Sequence, residues 1–344
     1  KRGMGMKATI KDVARMAEVS PSTVSRALRD NPRISEEVRE RVRRVARELD
    51  FHPNQMARSL VSRETHIVGV LFAEPASESM GHPFYPTVLQ GLGKVAGERH
   101  YHMLLSTGNE GMNEEDAMRA LADSGYVSGL ISLASPTHRK SPEWPCNGLP
   151  VIEIGHPLYP EQSYYVDNDN FQAGYEAARY LLRRGHRRIM FHGYDERFFV
   201  VTDRLAGFRR AMAEYGAPVK EDWIVPTRMI ENQPDFTHLT SIFADEARPT
   251  AVVSMDDPLS VGLCGFLQSL RLSVPADVSI ISFNNTPVGQ YHTPALTSID
   301  VNPFELGVHA MTLLLNVLKG SIEEPTHVVV PFKLMERDSV ATLR

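Results

Sequence analysis

Ser22, Thr23, Ser25 and Arg26 surround Val24 in a short stretch whose other apolar position is Leu28. If the stretch is helical, Val24 and Leu28 turn inward and the four polar residues turn outward. Serine and threonine hydroxyls reach phosphates or base edges, and an arginine spans O6 and N7 of a guanine. This is the chemistry of a helix laid in a major groove, and a helical hairpin with a solvated face is the plainer alternative. Catalytic chemistry is harder to find. His100/His102 and His186/His192 have no acidic or cysteine partner at ligand spacing, and Cys146 and Cys264 stand far apart. No catalytic residue, metal set or cofactor is therefore expected, and the chain does not read as an enzyme.

The elements around the polar residues follow from local signals. Thr9 caps a first helix whose Val13, Ala14 and Ala17 repeat at helical spacing. Glu18-Val19-Ser20 interrupts the pattern, Ser20 caps a second helix, and Pro21 suits its first turn. A third helix, Ser35 to Leu49, sets Val38, Val42, Val45 and Leu49 on one face. Its Arg39, Arg41, Arg43, Arg44 and Arg47 form a solvated face with one or two phosphate contacts. Charge agrees with this. Residues 1–63 hold 15 Lys and Arg against 8 Asp and Glu, a net of +7, and the remainder holds 22 against 34, a net of −12, together the −5 of the chain. A basic head on an acidic body is expected where only the head meets phosphate. Residues 7–52 are thus read as a helix-turn-helix head and 53–63 as a linker. The linker is helix-competent from Asn54 but too short to be stable alone in water.

Strands alternate with helices through the rest: His66–Phe72, Tyr101–Ser106, Gly129–Ala134 and Val151–Ile154, then Arg188–Phe191, Ala251–Ser254 and Val278–Phe283, with helices such as Phe84–Arg99 and Thr202–Tyr215 between. This α/β alternation predicts two doubly wound parallel sheets, since some 280 residues exceed one compact core. Ligands are then expected in the cleft outside the carboxyl ends of the strands. Gly91-Leu-Gly93-Lys-Val-Ala96 matches a relaxed dinucleotide fingerprint but lies inside a helix rather than after a strand, so helix packing is the better reading. With no run of 18 apolar residues, no signal-like start and two lone cysteines, a cytoplasmic protein without membrane contact is expected.

Thr9-Ile-Lys-Asp-Val-Ala14, Val19-Ser-Pro-Ser-Thr-Val-Ser-Arg26, Pro32-Arg-Ile-Ser35 and Pro53-Asn54 through Ala57-Arg-Ser-Leu60 occur in one order along the chain. Together they resemble the lac-repressor family of bacterial transcription regulators, and the likeness covers essentially the whole chain. It implies a three-helix head and hinge helix followed by a two-lobed core like periplasmic binding proteins. The lobes would be 64–165 plus 295–324 and 166–294 plus 325–341. The resemblance places DNA contacts at Thr9, Ser20, Pro21, Ser22, Thr23, Ser25, Arg26 and Arg29, and at hinge positions Asn54, Ala57 and Leu60. Leu60 would wedge between base steps in the minor groove. Arg29 stands where the family often has asparagine. The effector pocket falls on Phe84, Tyr85, Ser135 and His156 of the first lobe and Arg204, Asp256 and Asn284 of the second. Partners implied are near-palindromic operator DNA, a small sugar and a second copy of the chain in a homodimer.

Within the family, Asp30-Asn-Pro-Arg-Ile-Ser35, Ile154-Gly-His-Pro-Leu158, Tyr165-Val-Asp-Asn-Asp-Asn170 and Ile281-Ser-Phe-Asn-Asn285 resemble maltose-operon repressors of Gram-positive bacteria. That likeness implies maltose or a maltodextrin as effector. Phe198 and Val200 replace polar residues of purine-responsive relatives, and Asp256 weakly disfavours a phosphorylated sugar; the alternative is the same family responding to another sugar, a sugar phosphate or a purine. The alternative class is a sugar-binding protein without DNA function.

Overall fold

Small residues decide how closely the first three helices pack. α1 (Ile10–Met16), α2 (Pro21–Ala27) and α3 (Glu36–Glu48) enclose Val13, Ala17, Val24, Ala27 and Val42, all fully withdrawn from water, with Ala14, Val45 and Ala46 beside them. The computed structural model describes residues 8–28, 30–51, 65–72, 81–107, 113–133, 144–193, 198–230 and 233–343. The chain divides into two compact units, 1–65 and 66–344. In the first, the Thr9 N–H and Oγ1 donate to the Asp12 carboxylate at 3.0 and 2.7 Å, holding that carboxyl below its ordinary range. Ser20 Oγ accepts the Thr23 N–H at 3.1 Å and so caps α2. Arg43 pairs with Asp30 in the turn beyond α2 and with Glu36, and Arg39 pairs with Glu36. These ion pairs occupy two of the five arginines of the third helix.

The second unit holds two six-stranded sheets. β1 (Ile67–Phe72), α4 (Phe84–Glu98), β2 (His102–Thr107), α5 (Glu114–Asp123), β3 (Gly129–Ser132), β4 (Val151–Ile154) and β5 (Tyr164–Asp167) build the first. Its order is β13-β5-β4-β3-β1-β2, every neighbour parallel. α6 (Asn170–Arg183), β6 (Ile189–Gly193), α7 (Phe199–Glu214), β7 (Ile224–Pro226), α8 (Thr240–Ala244), β10 (Ala251–Ser254), α9 (Asp257–Ser269), β11 (Ser279–Phe283), α10 (Pro287–Gln290) and β12 (Thr297–Asp300) build the second, and β8 (Arg228–Ile230) with β9 (Gln233–Asp235) forms a separate two-stranded hairpin. Its order is β14-β12-β11-β10-β6-β7, parallel except for the antiparallel pairing of β14 with β12. The C-terminal elements are α11 (Pro303–Leu318), β13 (His327–Val329) and β14 (Lys333–Met335).

Two crossings between the lobes fall later than the sequence suggests. β12 pairs with β11, so residues 297–300 belong to the second sheet, and the return to the first lobe comes at Asn302 before α11. β13 pairs with β5, so the first lobe keeps residues to Val330, and only β14 rejoins the second. The cause is a buried polar strand. Thr297 and Ser298 lack the apolar run of an interior strand, yet both are wholly buried. Ser298 Oγ donates to Asp257 at 2.9 Å, and the Thr297 N–H donates to Ser339 Oγ at 2.8 Å. The first crossing follows β5, where α6 enters the second lobe.

Candidate nucleic-acid interface and effector cleft

On α2, Pro21, Ser22 and Arg26 are exposed, Thr23 and Ser25 are half-buried, and Val24 is wholly buried. The polar face predicted from the sequence is therefore presented outward. Part of it is occupied at home. Ser20 Oγ lies 2.7 Å from Ser22 Oγ and 2.9 Å from Thr23 Oγ1, so these hydroxyls brace the N-terminus of the helix. Thr9 is exposed and serves α1 through Asp12. The exposed side chain on this face with the reach and charge for a base edge is Arg26. Arg29, Asn54, Ala57 and Leu60 lie outside the described residues.

In the second unit one nominated residue, Arg204, is a buried guanidinium with contacts from three other segments. Arg204, on α7, is 5 % exposed. Its Nε donates to Asn170 Oδ1 at 3.0 Å and its Nη1 to the Met255 carbonyl at 3.2 Å, while its Cζ stands 4.0 Å from the Phe283 ring centroid. Burial pulls its pKa down to about 10, opposed by Asp167 and Asp256. The two backbone neighbours of its contacts are themselves nominated residues. Asp256 follows Met255, and Asn284 follows Phe283 with a left-handed φ of 86°. Asp256 Oδ1 accepts the Leu259 N–H at 2.7 Å and caps α9, and its Oδ2 faces His82 Nε2 at 3.1 Å.

From the first lobe, Phe84 opens α4 and packs against the cores of both lobes, so it is both core and cleft wall. Tyr85 stands edge-on to Phe72 and His82. His156, after β4, places Nδ1 2.8 Å from Asp203 Oδ2 and its ring 5.3 Å from that of Phe199. Hydrogen bonding to Asp203 raises the His156 pKa above its ordinary value, against the effect of burial. Ser135 lies outside the described residues. Sequence reasoning missed His82, Asp167, Asn170, Phe199 and Asp203. The signals were present: His82 lies two residues before Phe84, Asp203 precedes Arg204, and Asp167 and Asn170 stand in the Asp-Asn-Asp-Asn run. Asp167 accepts the Asn168 N–H at 2.8 Å and Asn170 Nδ2 at 3.0 Å, and burial pushes its pKa up to about 6.

Residues 9–54 match the family of bacterial regulatory proteins, lacI family, and residues 178–340 match a periplasmic binding protein-like domain. The HTH-type transcriptional regulator MalR of Streptococcus pneumoniae is 32 % identical over 323 residues, covering 92 % of this chain and 94 % of that protein. The HTH-type transcriptional repressor PurR of Escherichia coli is 32 % identical over 339 residues, covering 97 % of each. A solved complex of the transcriptional regulator CelR with cellobiose superposes with a TM-score of 0.69 at 28 % identity, over 96 % of this chain and 99 % of that one. The chain belongs to the lacI family of bacterial regulatory proteins and is a helix-turn-helix, DNA-binding transcription regulator. No described helix is long and apolar enough to cross a membrane.

Proposed function

We propose that this chain represses transcription as a homodimer on a near-palindromic operator, and that a neutral carbohydrate, maltose or a short maltodextrin, held between the lobes controls its grip on DNA. The balance of groups around Arg204 carries the effector part. Asp167, Asp203 and Asp256 border the cleft, while Arg204 has its Nε and Nη1 already engaged by Asn170 and Met255. A phosphate dianion would meet more negative than available positive charge. Sugar hydroxyls, which donate and accept, suit carboxylates and amides, and Phe84, Tyr85 and Phe199 supply faces for the apolar side of a sugar ring. The likeness to MalR and to a cellobiose complex supports a sugar, whereas PurR is as similar in sequence and does not separate the two effector classes. Phe198, at the N-cap of α7, is exposed and supplies no polar group there. Calorimetry on the full chain tests the proposal. Maltose or maltotriose should release heat, while a free purine base and glucose 6-phosphate should not. Binding of a purine or a sugar phosphate without maltodextrin binding would overturn the effector assignment and leave DNA recognition untouched.

A further inference from the structure

Two histidine–aspartate pairs cross the cleft, each with one member on each lobe. His82, just before α4, meets Asp256 before α9 at 3.1 Å, and His156, after β4, meets Asp203 of α7 at 2.8 Å. We infer that these two pairs are the latches that hold the lobes together, and that the His156–Asp203 latch couples closure to proton uptake while the His82–Asp256 latch does not. The inference concerns regulation of the same site and draws on the effector reading only in that bound sugar would inherit the coupling.

The two latches differ in how the imidazole is held. His82 Nδ1 accepts the Phe84 N–H at 3.3 Å, which assigns the ring proton to Nε2, the atom facing Asp256. Its Nδ1 is thus tied to the backbone at the start of α4, and its Nε2 alone is left to face the second lobe. Around it stand Asp256 from the second lobe and the Tyr85 ring from α4, and Asp256 lies in the field of Arg204. Among the described residues no backbone N–H locks His156 in this way. It faces Asp203 and Phe199 from α7 and feels Asp167 at the end of β5, whose own carboxylate is balanced by Arg204.

The sign follows from what opening removes. In the closed form the hydrogen bond to Asp203 holds the His156 pKa above its ordinary value. Separation of the lobes removes Asp203 and returns the imidazole toward that value. The closed form therefore binds the proton more tightly, so closure is favoured at low pH and the advantage is lost as pH rises through the raised pKa.

Electron–electron distance measurements on the sugar-free full chain test this, with spin labels at Tyr126→Cys in the first lobe and Asp245→Cys in the second. Both positions are exposed and the native Cys146 and Cys264 are buried. Dilution with unlabelled protomer isolates the distance within one chain. The short-distance fraction should fall at least about threefold between about pH 5.5 and pH 8, the span over which an unlatched imidazole loses its charge. Asp203→Asn and His156→Gln should abolish the dependence on pH. His82→Gln should lengthen the distance at both pH values and keep the dependence. A wild-type distribution insensitive to pH, or a dependence that survives Asp203→Asn, would overturn the inference. No sugar enters the experiment, so failure of maltose to bind would leave its outcome readable.

Discussion

Arg204 carries a charge almost wholly withdrawn from water, held by an amide, a carbonyl and the face of Phe283. Such a group serves structure, and on the proposed reading of the cleft it serves ligand as well. Arg204→Ala would leave Asn170 Oδ1 and the Met255 carbonyl without their donor, at about 1–3 kcal/mol for each buried acceptor. Scanning calorimetry should therefore show a lowered melting temperature for Arg204→Ala besides weaker sugar binding, whereas Asn284→Ala should weaken sugar binding with little change in melting. Equal melting temperatures for Arg204→Ala and wild type would show that the guanidinium does not organise the cleft floor. Arg26 is the contrasting case. It is exposed, so Arg26→Ala should leave the fold alone and cost operator affinity about 1–3 kcal/mol if it grips a guanine in bidentate fashion. Equal losses on operator and on random DNA would reduce it to a phosphate contact.

At the scale of elements, each lobe is joined by one helix pair with glycines on both sides of the contact. A Cβ on Gly91 of α4 would stand 2.0 Å from the Phe304 carbonyl oxygen of α11, and one on Gly307 of α11 would stand 2.2 Å from the Val88 carbonyl oxygen. In the second lobe, Gly174 of α6 meets the Arg204 carbonyl oxygen at 2.0 Å, and Gly207 of α7 meets that of Phe171 at 1.9 Å. The blocking atoms are backbone, so neither helix can yield without moving whole. Gly91→Ala should cost about 1–3 kcal/mol or more through overpacking. Gly97→Ala lies in the same helix with open space around its Cβ and should stabilise by about 0.5–1 kcal/mol. Denaturant titration of the two variants checks both signs, and a neutral Gly91→Ala would refute the packing role. The same geometry disposes of the dinucleotide fingerprint, since Gly91 serves helix packing instead of approach to a pyrophosphate.

For the molecule as a whole, the acid limb of stability rests on buried histidine. His192, the penultimate residue of β6, is fully buried, and burial lowers its pKa to about 4. The unfolded chain holds its proton up to the ordinary value of 6.5, so the contribution is complete above 6.5 and is lost as pH falls from there toward 4. A shift of that size corresponds to about 3 kcal/mol across the window. Asp167, raised to about 6, acts in the opposite sense and blunts the slope. Urea unfolding of wild type and His192→Leu at a series of pH values should show a flatter acid limb in the variant, and parallel curves would assign the acid sensitivity elsewhere.

Periodicity and capping are local, and what they dictate could be read from the chain alone. The head helices, the inward Val13, Val24, Val42 and Val45, and the outward Arg26 follow from spacing along a helix. So do the alternation of strands and helices and the parallel sheets it demands. The limits of the lobes did not follow, because Thr297 and Ser298 look polar until Asp257 and Ser339 are seen to satisfy them from distant parts of the chain. His82, Asp203 and Asn170 likewise carry no signal of their own that names their partners. Each acquires its role across a separation of 34 to 174 residues. Spacing reports which face of an element a side chain occupies; only tertiary packing, within a lobe and between lobes, decides which acid, amide or ring that face will meet.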